Sequence, residues 1–173
     1  MIRRALYRAG QFFAALMAPL TRPELGEAGR YLSPAQRVLF ERMSAPDRRH
    51  ALAVFRALQE RGVQERDLLV AALLHDAGKA ECPPPIWVRV AVVLMERFAP
   101  RLLECISEGE PHGWRRPFAI YRQHAEIGAD WAAQAGCSPI VVDLIRRHHT
   151  PLSPSEKEAN PLLALLQEVD GDR

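Results

Sequence analysis

Apolar residues recur every three or four positions along almost the whole chain, and that period leaves little room for anything but helices. Alternation with a period of two is not sustained, so strands are not expected. Proline and glycine punctuate the pattern. Ser33-Pro34 reads as an N-cap and first turn, opening a helix to about Met43. Ser44-Ala-Pro-Asp47 resets the chain, and the next helix runs to about Arg61, closed by Gly62. A third, from about Glu65, is apolar almost all round and therefore central, ending at Asp76-Ala-Gly78. After the rigid Cys82-Pro-Pro-Pro85 break, helical pattern covers 86–98, 100–107, 118–135, 139–149 and 161–170. Residues 108–117 form the longest loop-like stretch and a candidate substrate-facing lid, while 151–160 is polar and turn-rich. The expectation is an all-α chain folded as a single compact helical bundle.

With 173 residues the chain suits one domain with a substantial core. A net charge of +2 supplies no dominant surface for a nucleic-acid polymer. Cys82, Cys105 and Cys137 are widely spaced and form no CxxC pair, which argues against a disulfide framework and for a reducing, cytoplasmic setting. No run approaches the roughly 18 apolar residues of a spanning helix. Arg3 and Arg4 precede an uncharged stretch over 9–21, the outline of a weak signal peptide. At about 100° per residue, however, Ile2, Leu6, Phe13, Leu16, Met17 and Leu20 share one face. That pattern fits an amphipathic helix within an N-terminal helical extension (1–43) packing on a core of 44–173, with a membrane-surface helix as the alternative. Residues 1–50 carry nine basic and four acidic side chains, so weak peripheral contact with anionic lipid is also compatible with the sequence.

Several polar residues end apolar stripes. His50 borders the face of Val54 and Ala57; His75 extends Leu68 and Ala71; Asp76 extends Leu69, Ala72 and Leu73. His124 lies among Ile120, Ile127 and Trp131, His148 extends Val141, Leu144 and Ile145, and Asp170 follows Leu163 and Leu166. Any one of these histidines is explained as well by a hydrogen-bonded core imidazole. Together, two buried carboxylates beside four imidazoles make a cation site, because a buried carboxylate without compensating charge is costly. Imidazole and carboxylate donors suit a divalent transition metal, and the absence of nearby Cys argues against a structural zinc knot.

His50, then Leu74-His75-Asp76-Ala77-Gly78-Lys79, then His124-Ala-Glu-Ile-Gly128, then Arg147-His148-His149, then Val169-Asp170, resemble the HD-domain metal-dependent phosphohydrolase superfamily over about residues 44–170. The resemblance implies a helical bundle of the HD-domain type and one or two divalent ions (Mn, Fe, Mg, Ni, Co or Zn). It implies that His50, His75, Asp76 and Asp170 hold one ion, and that Asp76 bridges to a second held by His124 and His148. It further implies cleavage of a phosphomonoester or phosphodiester in a nucleotide or small phosphorylated metabolite; a non-catalytic ligand-binding or signalling module is the alternative. His-Asp-Ala-Gly-Lys and His148-His149 are similar to the HDxGK and HH motifs of the HD-GYP branch. In place of the Gly-Tyr-Pro signature, however, stands Thr150-Pro-Leu-Ser-Pro. Pro46 also occupies the position, four residues before His50, where that branch often has a third-metal Glu. These departures point away from trinuclear cyclic-di-GMP hydrolysis and toward a smaller site. Lys79 is either a catalytic cation facing a substrate phosphate or a solvated residue favoured by a helix C-terminus. His149, Arg147 and Arg122 are candidate substrate contacts. Trp87, Trp114 and Tyr121 are either base-stacking or core aromatics.

Overall fold

The computed structural model describes residues 25–108 and 112–171, and the regular structure among them is entirely helical. After a 3-10 turn (Gly26–Tyr31) come α1 (Pro34–Arg42), α2 (Ala45–Glu60), α3 (Arg66–Leu74), a 3-10 turn (Ala77–Glu81), α4 (Ile86–Phe98) and α5 (Pro100–Ser107). A 3-10 turn (Gly113–Arg115) then leads into α6 (Arg116–Gln134), α7 (Pro139–Arg147), α8 (Pro154–Ala159) and α9 (Pro161–Gly171). The amphipathic helix expected over residues 2–20 lies outside the described residues.

Local chemistry sets most of these starts. Ser33 and Gln36 form a reciprocal capping box on α1, and Ser44 and Ser138 cap α2 and α7 by accepting from Asp47 N and Val141 N. Gly62, at φ 77°, supplies the left-handed turn that ends α2. The 108–117 loop is shorter than expected: a 3-10 turn and then α6 take over from Gly113, because Pro117 sits in the first turn of the helix, where its missing N–H costs nothing. Within the turn-rich 151–160 stretch there is instead a short helix, α8, nucleated by a Ser153–Glu156 capping box.

Helix α3 is the axis of the bundle, with Leu68 to Leu74 all buried among α2, α7 and α9. One apolar cluster runs from Ala28, Leu32 and Phe40 through this helix to Val169. A smaller cluster, Val88, Val92 and Phe118, holds the α4–α5 hairpin against the start of α6. Backbones come very close between the Ala77–Glu81 turn and α6. A Cβ on Gly78 would lie 2.0 Å from the His124 carbonyl oxygen and 2.7 Å from the Gly128 nitrogen. Only glycine admits that contact, and it brings His124 beside Asp76.

Candidate metal centre

The two residues that give α3 its value lie just past its end. The last helical residue is Leu74; His75 is the C-cap and Asp76 begins the turn. Likewise α7 ends at Arg147 with His148 as its C-cap. Both helices therefore point their carbonyl ends, which carry partial negative charge, at one place, and that favours a cation there. Helix α2 brings His50, α6 brings His124 and α9 brings Asp170. Two links hold the frame. Ser138 Oγ donates to Asp67 Oδ2 at 2.9 Å, tying α7 to α3. Gln167 Nε2 donates to the carbonyls of Arg147 and Thr150 at 3.1 and 2.8 Å, tying α9 to the end of α7.

Three imidazoles are oriented alike. His75 Nδ1 donates to Ala72 O at 3.0 Å, His148 Nδ1 to Ile145 O at 2.6 Å, and His124 Nδ1 to Tyr121 O, each to the carbonyl three residues back. With Nδ1 as the donor, the Nε2 lone pair of each ring faces inward. His124 Nε2 and His148 Nε2 then stand 3.3 Å apart, lone pair against lone pair. Asp76 Oδ1 lies 3.3 Å from His124 Nε2 and 3.9 Å from His148 Nε2. On the other side, His75 Nε2 is 3.5 Å from Asp76 Oδ2 and 3.4 Å from Asp170 Oδ1, and His50 Nε2 is 2.6 Å from Asp170 Oδ1.

His75, Asp76, His124 and His148 are each at most 2% exposed, and His75 Nε2 and Asp76 Oδ1 have no hydrogen-bond partner. Buried polar atoms without partners are costly, and a cation shared by both removes the cost. Among the described residues two groups have the reach to hold one: Asp76, His124, His148 and His149, and His50, His75 and Asp76, the donor atoms in each lying within 4.8 Å of one another. The donor set thus fits divalent metal ions, with Asp76 common to both groups. The inward Nε2 atoms and fixed Nδ1 donors are the arrangement metal-ligating imidazoles adopt.

Charge in the site follows the same logic. Burial opposes a proton on His75, but Asp76 and Asp170 outweigh it and raise its pKa to about 9. Burial also opposes ionisation of Asp76, but Lys79 and His75 outweigh it and hold the carboxyl well below the ordinary range. Asp170 is likewise held low, by His75 and His50 against burial. Burial, with His75 and His149 nearby, pushes His148 well below the usual value, so its ring is neutral. His149 keeps an exposed edge, but lost hydration and the neighbouring His124 lower it to about 4. Its ring lies 4.0 Å from that of His148.

Lys79 is not a solvated cap. Its Nζ donates to Asp76 Oδ2 at 2.7 Å, and against the opposing effect of burial Asp76 and Asp47 raise its pKa. What stands behind it has no local signature in the sequence. Arg89 of α4 forms a bidentate pair with Asp47 of α2 at 2.9 and 3.0 Å and donates to Ser44 Oγ at 3.2 Å. A separation of 42 residues leaves no local signal of such a pair. The candidate substrate contacts fare differently from one another. His149 joins the His124–His148 side. Arg147 is engaged by Asp143 Oδ2 at 3.0 Å and Asn160 Oδ1 at 3.3 Å. Arg122 is exposed on α6, two residues from His124 and so on another face of the helix. Trp87 and Trp114 flank Phe118, with ring centroids 6.1 and 6.3 Å from it, and both are exposed. Tyr121 donates its hydroxyl to Glu96 Oε1 at 3.0 Å.

The fold and the site together define an all-helical bundle that closes five helices around a buried His/Asp cluster able to hold metal ions. The HD-domain family model matches residues 48–170, and the chain belongs to that family. No curated protein and no solved structure matches the chain. Among the described residues no helix is long and apolar enough to cross a membrane.

Proposed function

We propose that this chain is a divalent-metal-dependent phosphohydrolase that cleaves a phosphomonoester or phosphodiester bond of a nucleotide or another small phosphorylated metabolite. The observation that carries the reading is the set of inward Nε2 lone pairs around an Asp76 oxygen with no hydrogen-bond partner. Membership of the HD-domain family, typically metal-dependent phosphohydrolases, supports it. In this reading His50, His75, Asp76 and Asp170 hold one ion, and Asp76, His124 and His148 hold a second, with His149 beside it. Ions bound there lower the pKa of water toward neutrality and offset charge developing on phosphoryl oxygens.

The chain's own residues do the rest. Backbone carbonyls of Ala72, Tyr121 and Ile145 fix the ring orientations. Lys79 stays charged and anchors Asp76 through Oδ2, and in this reading its ammonium also faces the substrate phosphate. Pro46, in the first turn of α2, supplies no donor four residues before His50, so the site is limited to two ions. In this reading it is an HDxGK site related to the HD-GYP branch but without that branch's third metal.

A second reading is favoured by a specific contact. With Lys79 on Asp76 Oδ2 and Arg147 engaged elsewhere, the same centre suits a non-catalytic module that binds metal and a ligand. One experiment separates the two: metal analysis of the purified protein, then phosphate release from mono-, di- and cyclic nucleotides with added Mn²⁺. Bound metal and turnover, both lost in Asp76→Ala, are expected. Metal retained in that variant overturns the ligand assignment, and metal binding without turnover on any substrate favours the module.

A further inference from the structure

Helix α4 is attached to the rest of the protein in two ways. Val88 and Val92 pack on Phe118 of α6, but among the described residues no side chain of α4 enters the main apolar cluster. Polar contacts supply the other attachment. Arg89 and Glu96 are seven residues apart, so they share one face of α4 about 10 Å from each other. Each reaches a different helix. Arg89 forks onto Asp47 of α2 at 2.9 and 3.0 Å, and Glu96 Oε1 accepts from the Tyr121 hydroxyl of α6 at 3.0 Å. Both targets lie three residues before a histidine of the candidate centre: Asp47 before His50, and Tyr121 before His124. That spacing puts each target on the helix face of its histidine, one turn nearer the helix start.

Helix ends fray, and these histidines stand in the second turn of α2 and the third turn of α6. The Arg89 grip takes in the start of α2 itself, because Nη2 also donates to the Ser44 cap at 3.2 Å. A buried ion pair is often no more stabilising than an apolar pair of the same volume; what a bidentate fork adds is one fixed geometry. On the other side, the Tyr121 carbonyl holds His124 Nδ1, so a pin on the Tyr121 side chain steadies the turn that orients that ring. Both targets also act on Lys79. Its Nζ lies 5.9 Å from the Tyr121 ring centroid, and Asp47 is, after Asp76, the carboxylate that most favours its charge. Helix α2 packs mainly on α3, and α6 on the Ala77–Glu81 turn and α7, so α4 adds a link that neither packing supplies.

We propose that α4 is a brace for the metal centre. Arg89, through Asp47, positions the group of His50, His75 and Asp76; Glu96, through Tyr121, positions the group of Asp76, His124, His148 and His149. Both are positioning residues, and their role rests on the two-ion reading.

Titration calorimetry of the full chain with Mn²⁺ alone tests this without any substrate. The parent protein should bind two ions, and His50→Ala and His124→Ala identify which step belongs to which group. Asp47→Asn with Arg89→Met removes the fork without leaving a lone buried charge. It should weaken the His50 step about tenfold and spare the His124 step. Tyr121→Phe keeps the ring and removes only the hydroxyl; it should weaken the His124 step about threefold and spare the other. A general loss of stability lowers both steps together and does not produce that crossed pattern. Equal shifts of both steps, or no shift, in either variant overturns the proposal. Tyr121→Phe alters an exposed contact and leaves the fold intact, so it decides alone if the double variant loses its cooperative melt. A parent protein that binds no Mn²⁺ overturns the two-ion reading and the brace with it, whereas two-ion binding without the crossed pattern overturns the brace alone.

Discussion

In the proposed site a proton and a divalent ion compete for the same lone pair of His75. Without metal the two flanking carboxylates keep the ring protonated up to about pH 9, against an ordinary value of 6.5. Metal binding must displace that proton, so apparent affinity should tighten about tenfold per pH unit between pH 7 and 9 and level off above. Calorimetry in two buffers of different ionisation heat would count the proton released; a flat affinity across that range would remove His75 from the ligand set. The sign for stability runs the other way. A folded-state pKa raised above 6.5 stabilises the metal-free protein fully below pH 6.5, and that contribution is lost as pH rises through about 9. The melting temperature of metal-free protein should therefore fall over that interval. Every ligand candidate of this kind was visible in the sequence as a polar residue ending an apolar stripe. What the sequence left open was Lys79, whose 2.7 Å contact with Asp76 excludes the solvated alternative.

At the scale of elements, the Ala77–Glu81 turn against α6 decides whether Asp76 meets His124. Gly78→Ala would push a Cβ into the His124 carbonyl, and backbone on both sides cannot yield without parting the two elements. A loss of about 1–3 kcal/mol is expected by denaturant unfolding, with weaker metal binding. Gly128→Ala, whose nearest contact is 3.1 Å, should cost less; the reverse order would contradict this packing. The Asp47–Arg89 pair holds the α4–α5 hairpin to α2. Arg89→Met leaves a buried carboxylate unpaired and should cost about 1–3 kcal/mol, whereas Asp47→Asn with Arg89→Met should recover most of that in a double-mutant cycle. Helix starts were legible because Ser-Pro caps are local. Helix ends were less so: α3 and α7 stop before their histidines, since both residues act as C-caps in service of the site. Helix α8 escaped the reading because six residues carry no usable period, although its Ser153–Glu156 capping box was there to be found.

For the whole molecule, a cation held as proposed by residues from five helices would couple metal binding to folding. At a hundredfold excess over its Kd an ion should add about 2.7 kcal/mol, a rise of roughly 5–10 °C in melting temperature that chelator reverses and Asp76→Ala abolishes. An unchanged melting curve would deny the centre any structural weight. The sequence by itself determined the helical architecture and the order of the His and Asp landmarks, because periodicity, caps and motif spacing are written within a few residues of each other. The tertiary structure decided what no local pattern encodes. It set which Nε2 atoms face each other across the core, that Asp76 stands between two donor groups, and that Arg89 reaches back 42 residues to Asp47. Those are distances between separate helices, fixed by burial of α3 and by the glycine contact between the Ala77–Glu81 turn and α6, and they exist only once the chain has packed.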